Sequence, residues 1–483
     1  MLQRFLLSLE QWGNKIPHPS LMFFWLCVLM FALSIIGKLF SLQVTHPAND
    51  TLIMARSLAS AEGLRFMLTG MVDNFISFAP LGVVLVAMLG IGIAEKSGLL
   101  ASVLQRTVRA AKPRLLTFIV AFTGVMSSMA ADAGYVILIP LSAMLFVMAG
   151  RSAMAGIATA FAGVSAGYSA NLLVGPIDAI LAGISTEAAR TITADAHVSA
   201  AANWYFNILS TFVIAALITW ITEKKQWQHS KQLSQEVAQT RYSLKGQVTF
   251  STAYILALAI LLIPESAPLR HPETGTIANS PFINAIVIII ALYFAGAGLI
   301  FGYINRTFRQ AADVIHAMES TMAALAPYLV MMFFAAQFIA WFQWSNLGLM
   351  LAVGGAQWLG SLDINHYLLL LIFILLNSLI NIFIGSASAQ WALMAPIFVP
   401  MFMLMGISPD VIQAAYRIGD SSSNIISPMM PYFALVLGFV QQYDNKAGIG
   451  TLITVMLPYA LALLVIWSSL LLIYLALALP LGI

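Results

Sequence analysis

The stretch 377–431 reads NSLINIFIGSASAQWALMAPIFVP, then MFMLMGISPD, then VIQAAYRIGDSSSNIISPMMP, and its reading decides that of the whole chain. It packs Asn, Ser, Gln, Arg, Asp, Gly and Pro into surroundings apolar enough to lie in a bilayer. A lipid-facing helix has no use for that mixture, because each unsatisfied polar group in hydrocarbon costs several kcal/mol. An ion or substrate pathway does.

The surroundings bear this out. Of 483 residues, 60% are hydrophobic and 8% charged, against about 25% charged in a soluble domain. The chain is a polytopic membrane protein on composition alone. Apolar runs of spanning length begin near Ser20, Phe78, Leu115, Ala153, Trp204, Val248, Phe282, Thr321, His366, Ile412 and Gly450. They predict roughly nine to eleven crossings, several of them interrupted and open to a re-entrant reading. No cleavable signal is evident: 1–19 is amphipathic, and the run from Ser20 is long enough to be retained. A single cysteine, Cys27, excludes a disulfide framework or a thiolate metal site within one chain. Basic residues gather in 95–114, in 223–245 and at Arg306 and Arg309. The positive-inside rule places these three groups, and the N-terminus, on the cytoplasmic face. The segment 51–78 reads equally as a helix on the membrane surface or as an ordinary outer loop.

The stretch has a counterpart. SSMAADAGYVILIPLSAMLFVMAG at 127–150, followed by SANLLVGPID at 169–178, matches SASAQWALMAPIFVPMFMLMG at 386–406, followed by SSNIISPMMP at 422–431. Each copy opens with small and hydroxyl residues and a polar residue, Asp132 or Gln390. Each then runs through a Pro-bearing apolar segment to Gly and on to an Asn with Pro beyond it. A small-residue turn between two short helices makes a re-entrant hairpin, and Asn with Pro breaks a span. Transporters use such elements to place half-helix ends at a midplane site, positive ends toward an anion and freed carbonyls toward a cation.

Ionisable residues inside such segments are functional candidates. Arg417 and Asp420 are three apart, so they share a helix face and are able to pair. Asp178 has no basic residue near it in sequence, which favours a titrating role over a structural one. Asp132, at the first tip, lines an ion site or caps a hairpin helix. Trp391 either stacks on an aromatic substrate or packs the hairpin, and the residues alone favour packing. Asn381 is a neutral donor and acceptor suited to a carboxylate or amide. Asp73, Glu95 and Asp363 fall near span ends and read as structural. The histidines show no metal-ligand spacing and no GxxxxGK[ST] loop is present, so the driving force is an ion gradient or the substrate's own.

The runs SASAQWALMAPIFVPMFMLMG and YRIGDSSSNIISPMMPYFALVLGF resemble the p-aminobenzoyl-glutamate transporter (AbgT) family, as do NKIPHP at 14–19, FAPLG at 78–82, AGISTEAA at 182–189 and NWYF at 203–206. The resemblance covers nearly the whole chain. It implies a homodimer of all-α protomers, each with about nine transmembrane helices plus two re-entrant helical hairpins in an inverted-repeat, elevator-type ion-transporter-like fold. On that plan 1–19 is a cytoplasmic amphipathic segment, and 20–126 holds scaffold helices with an outer loop at 41–77. The first transport-unit repeat is 127–186. More scaffold follows over 187–376 with a cytoplasmic loop at 223–246, then the second repeat over 377–440 and a C-terminal helix over 441–483. The resemblance also implies substrate-binding roles for Asn381, Ser388, Trp391, Pro409, Arg417 and Pro428. Ion coupling falls to Asp178, Asp420, Asn171, Asn424, Asp132 and Ser386, with sodium near Asn171 and Asn424. Ala130 and Ala131 stand where some relatives carry Ser-Ser, so a site at the first tip relies on backbone carbonyls and Asn171.

The expected function is ion-gradient-driven transport of p-aminobenzoyl-glutamate or a similar aromatic anion across the bacterial inner membrane. Proton-motive-force-driven export of sulfonamide antimetabolites is the alternative, and a passive channel ranks third. No cofactor is expected beyond sodium or a proton as coupling ion, and no nucleic-acid partner. An intramembrane enzyme lacks support: no GxSxG elbow, paired catalytic aspartate motif or His base accompanies Asp178 and Asp420.

Overall fold

A computed structural model describes residues 19–45, 52–109, 115–130, 134–225, 227, 242–264, 266–272, 275, 280–362, 364–430 and 432–483. The N-terminal segment 1–18, Ala131 and Asp132 of the first tip, most of the basic loop at 223–245 and Asp363 lie outside the described residues.

In chain order, α1 (Pro19–Leu39) leads into an antiparallel ribbon of β1 (Gln43–Thr45) and β2 (Leu52–Met54), with Val44 opposite Ile53. There follow α2 (Ala61–Ile76), α3 (Ala79–Lys96), α4 (Leu99–Arg109), α5 (Leu116–Met126), α6 (Ile139–Met148), α7 (Ala153–Phe161) and α8 (Pro176–Ala189). Next come α9 (Trp204–Lys224), α10 (Lys245–Leu262), α11 (Ile286–Ile304), α12 (Ala311–Ala324), α13 (Ala326–Trp344) and α14 (Leu347–Ser361). The chain closes with α15 (His366–Asn381), α16 (Ala387–Met403), α17 (Pro409–Asn424), α18 (Phe433–Gln441) and α19 (Ile449–Ala476). Among the described residues six helices, α1, α9, α10, α11, α13 and α19, are long and apolar enough to cross a membrane. The chain is a multi-pass, all-helical membrane protein.

The shorter apolar helices follow one plan twice. In the first copy α5 runs into a 3-10 turn at Ser127–Ala130, and a π-turn at Gly134–Leu138 leads into α6, which packs on α7; α7 then runs on through a π-turn at Ala162–Ala166, the chain opens, and α8 begins. In the second, α15 and α16 flank a tip at 382–386, and α17 and α18 flank an opening at 425–432. The two arms run over Leu116–Met129 and Gly134–Met148, each within 10–17 residues, a rise of at most about 26 Å against a hydrocarbon core of about 30 Å. Neither crosses a bilayer unaided. The leading arm α5 lies upstream of the boundary at 127 expected from sequence, and α15 begins upstream of the one at 377 and runs through it, because most of each arm is a plain apolar run.

Each hairpin is joined to its broken helix by a left-handed glycine, Gly150 (φ +73°) after α6 and Gly406 (φ +85°) after α16. A Cβ at either would meet nothing within 4 Å, so substitution tests the backbone alone. Gly150→Ala and Gly406→Ala are each expected to cost about 1–2 kcal/mol in thermal denaturation of purified protein. An unchanged melting temperature in both would contradict the reading of these turns.

The remaining helices frame the repeats. α1 packs on α13 through Phe23 against Phe338 and Phe24 against Phe334, and α3 packs along α11. The segment left open as surface helix or loop is helical over α2. Ser60 caps it by accepting from the Gly63 N–H, and Asn74 and Met71 hold Gln337 of α13. Leu64, Leu68, Val72 and Ile76 form its exposed stripe. α9 packs on the first repeat: Thr159 meets Thr222 at 3.0 Å, and Arg151 pairs with Glu223 at 2.7 Å. α19 joins it through Trp467 to Ser210 and Tyr459 to Thr222.

Candidate functional site

Both tips and both openings converge on one cavity of about 310 Å³. Hairpin one contributes Ser128 and Tyr135, the first opening Tyr168 and Pro176, hairpin two Ser386 and Ser388, and the second opening Asn424 and Tyr432. α3 and α13 complete the wall with Met88 and Tyr328. Two helix N-termini reach it. α8 starts at Pro176, and α16 starts behind Ser386, whose hydroxyl accepts from the Ala389 N–H. Their unpaired N–H groups give the cavity a positive potential. No charged side chain among the described residues lines it.

One hydrogen bond recurs in both repeats at the same sequence separation of 43 residues. Asn171 Nδ2 donates to Ser128 Oγ at 2.6 Å in the first, and Asn381 Nδ2 donates to Asn424 Oδ1 at 2.8 Å in the second. Each bond ties the end of a hairpin's leading arm to the opening of its broken helix. The openings are thus held by asparagine amides and not left as slack backbone. Asn171 Oδ1 also accepts from the Leu173 N–H, and Asn424 Nδ2 reaches the Ser165 carbonyl in the other repeat at 3.5 Å.

The tertiary fold decides the pairing that helix spacing leaves open. Arg417 does not pair with Asp420. Its Nη2 lies 2.7 Å from Asp178 Oδ1, an approach too oblique to count as a hydrogen bond, so the attraction is chiefly Coulombic. Arg417 Nη1 donates to the Ser169 carbonyl at 3.3 Å, while Asp178 Oδ2 accepts from the Gly175 N–H at 2.6 Å and caps α8. Asp178, which lacks a basic neighbour in sequence, therefore has one across the repeats. Asp420 is the carboxylate without a cation against it. It is 0% exposed; Oδ1 receives a 3.4 Å contact from Tyr416 Oη, and Oδ2 has no partner among the described residues. Asn377 Oδ1, Asn381 Oδ1, Gln390 Oε1 and Ser421 Oγ, all buried on α15, α16 and α17, share that condition.

Of the residues assigned to substrate by resemblance, Ser388 lines the cavity, as does Ser386 from the coupling set. Asn381 and Trp391 do not. Asn381 is fully buried, donating also to the Asp420 carbonyl and Ser423 Oγ. Trp391 is 0% exposed, stacks on Tyr416 with centroids 4.4 Å apart, and donates to the Leu181 carbonyl and Ser185 Oγ. Pro409 opens α17 at its first position, away from the cavity, and Pro428 lies in the second opening outside the wall. The four wall tyrosines, Tyr135, Tyr168, Tyr328 and Tyr432, carry no sequence signal that separates them from packing residues.

Trp391 heads a buried chain that crosses the repeats. Ser185 Oγ donates to Gln413 Oε1 at 2.6 Å, and Gln413 Nε2 donates to Asn203 Oδ1 at 3.0 Å. Gln413→Leu leaves Ser185 and Asn203 without these partners and is expected to lower stability by about 1–3 kcal/mol, read by thermal denaturation. A variant as stable as the parent would show that the chain contributes nothing.

A multi-pass helical protein whose two repeated hairpin and broken-helix units meet at one interior cavity is built as a membrane transporter. The sequence pattern of the AbgT putative transporter family matches residues 4–483. The chain is 38% identical over 481 residues to the p-aminobenzoyl-glutamate transport protein of Escherichia coli (strain K12), covering 98% of this chain and 95% of that one. Its structure resembles the Alcanivorax borkumensis YdaH transporter, described as having an unusual topology, with TM-score 0.94, 51% identity and coverage of 97% and 100%. It also resembles Neisseria gonorrhoeae MtrF, described as illuminating a class of antimetabolite efflux pumps, with TM-score 0.91, 46% identity and 97% coverage of each chain. This chain belongs to the AbgT transporter family, and it is a transporter, not an enzyme.

Proposed function

We propose that this protein is a secondary active carrier of p-aminobenzoyl-glutamate or a similar aromatic anion across the inner membrane. The observation that carries the reading is the cavity itself: tyrosine-walled, edged by Ser128, Ser386 and Ser388, and approached by the N-termini of α8 and α16. A benzoyl ring meets aromatic surface there, and carboxylates meet hydroxyls and helix N-termini, each end worth about 0.3–1 kcal/mol to an anion. The E. coli relative named for this substrate supports the same choice. Sulfonamide export is the second reading, supported by the likeness to MtrF. A cavity wall with no cationic side chain among the described residues suits a neutral or singly charged aromatic as well.

Coupling is assigned to Asp420. A buried carboxylate with no cation in direct contact is costly, so Asp420 favours company from a proton or sodium ion, and the neighbouring unpartnered oxygens suit a hard cation. Tyr416 links it to the cavity, since its hydroxyl lies 2.5 Å from the Ala387 carbonyl in the wall and 3.4 Å from Asp420 Oδ1. Import of a dianion against a negative interior needs such a cation, each charge being worth about 2.3 kcal/mol per 100 mV. The moving body on this reading is the pair of repeats, and the homodimer implied by the family resemblance supplies the frame. A cytoplasmic N-terminus belongs to the same proposal. It is supported by the Thr307 hydroxyl donating to the Ser97 carbonyl, which brings two basic loops to one end.

The test is counterflow. Proteoliposomes preloaded with unlabelled p-aminobenzoyl-glutamate should transiently concentrate the labelled compound without any ion gradient. Flux that neither saturates nor shows counterflow would point to a channel and refute the carrier reading.

A further inference from the structure

Aromatic recognition in this cavity needs a ring that presents itself to the ligand, and Trp391 does not. It lies outside the wall, with one face on Tyr416 and its N–H committed to Leu181 and Ser185. The rings that do face the cavity include a preformed stack. Tyr135 follows the first hairpin tip and Tyr432 sits in the opening of the second broken helix. Their centroids are 4.3 Å apart, their planes 12° apart, and both line the cavity.

We propose that the Tyr135–Tyr432 stack is the aromatic subsite of this transporter and sets its preference for ring-bearing anions. The inference rests on the carrier reading above and adds to it the residues that select the ring. Two near-parallel phenols form a flat π surface. A ligand ring extends the stack with an offset or meets it edge-on, the two arrangements that aromatic quadrupoles favour. With the ring so placed, the carboxylate-bearing end is left to Ser386 and Ser388 at the N-terminus of α16. Tyr135 belongs to one repeat and Tyr432 to the other, so the subsite travels with the pair of repeats as one body.

The experiment compares p-aminobenzoyl-glutamate with N-(cyclohexylcarbonyl)glutamate, a saturated ligand of similar bulk without a π face, by calorimetric titration of purified full-length protein. The parent is expected to prefer the aromatic ligand by about fivefold or more, in line with the strength of aromatic stacking. Tyr135→Leu and Tyr432→Leu should each abolish that preference, while Tyr135→Phe and Tyr432→Phe should keep it. Melting temperatures and gel-filtration profiles identify any variant that has merely misfolded, and the Phe pair then decides. Leu variants with the parental preference would overturn the subsite. So would equal losses for both ligands, or Phe variants that lose the preference as Leu does. A parent that binds neither ligand, nor any sulfonamide, would instead remove the carrier reading and the subsite with it.

Discussion

Arg417→Ala is expected to lower stability by about 3–5 kcal/mol, the range for breaking a buried ion pair from one side. Arg417 is 1% exposed and Asp178 is 4% exposed. Removing the guanidinium leaves a carboxylate in the interior with only the Gly175 N–H to hold it. Asp178→Ala should cost as much by the opposite route, leaving a guanidinium whose Nε already lacks a partner among the described residues. The decisive comparison is a cycle of Arg417→Met, Asp178→Asn and the double variant carrying both. Once both charges are gone the desolvation penalty goes with them, so the double change should be far milder than the sum of the single ones. Thermal denaturation of all four proteins gives the coupling, expected at about 2–3 kcal/mol for groups in contact. Additive effects would mean that the pair is not a unit. Since Asp178 caps α8 in one repeat and Arg417 lies on α17 in the other, the pair is proposed to act as a clamp between the repeats.

Asp420→Asn should reduce gradient-driven accumulation at least tenfold while leaving counterflow intact. The amide keeps the shape and an acceptor for Tyr416 but cannot take up or release a proton, and it attracts sodium less than a carboxylate does. The carrier then still exchanges substrate for substrate, a cycle that needs no net ion movement. Parental accumulation by Asp420→Asn would remove the coupling role. Loss of counterflow as well would reassign Asp420 to the framework. The contrast with Asp178 is physical: one carboxylate has a cation at 2.7 Å, and the other has a phenol at 3.4 Å and an unpartnered oxygen.

Much of the architecture is legible in the sequence because polar residues in apolar segments are costly and so conspicuous. Asn171, Asn424, Ser386 and the left-handed Gly150 and Gly406 announce the tips, openings and turns, and the structure places them there. The leading arms α5 and α15 are not legible as hairpin arms, since a helix that stops short of crossing has the same composition as one that crosses. The partner of Arg417 is not legible for a different reason. Helical spacing shows which neighbours share a face, while the partner that wins is set by tertiary approach, here Asp178 from the other repeat. Trp391 illustrates the limit for aromatics. Its burial against Tyr416 is the packing role that the residues alone favour, and the cavity's tyrosines are not legible because a lone Tyr in an apolar helix has no distinguishing pattern.

The central claim, that this chain couples an aromatic anion to an ion gradient, is tested most directly by uptake of labelled p-aminobenzoyl-glutamate into proteoliposomes under separately imposed sodium and proton gradients. Accumulation above the external concentration under at least one gradient, collapsed by the matching ionophore, is the expected result. Equilibration without accumulation under both gradients, in either direction, would contradict it.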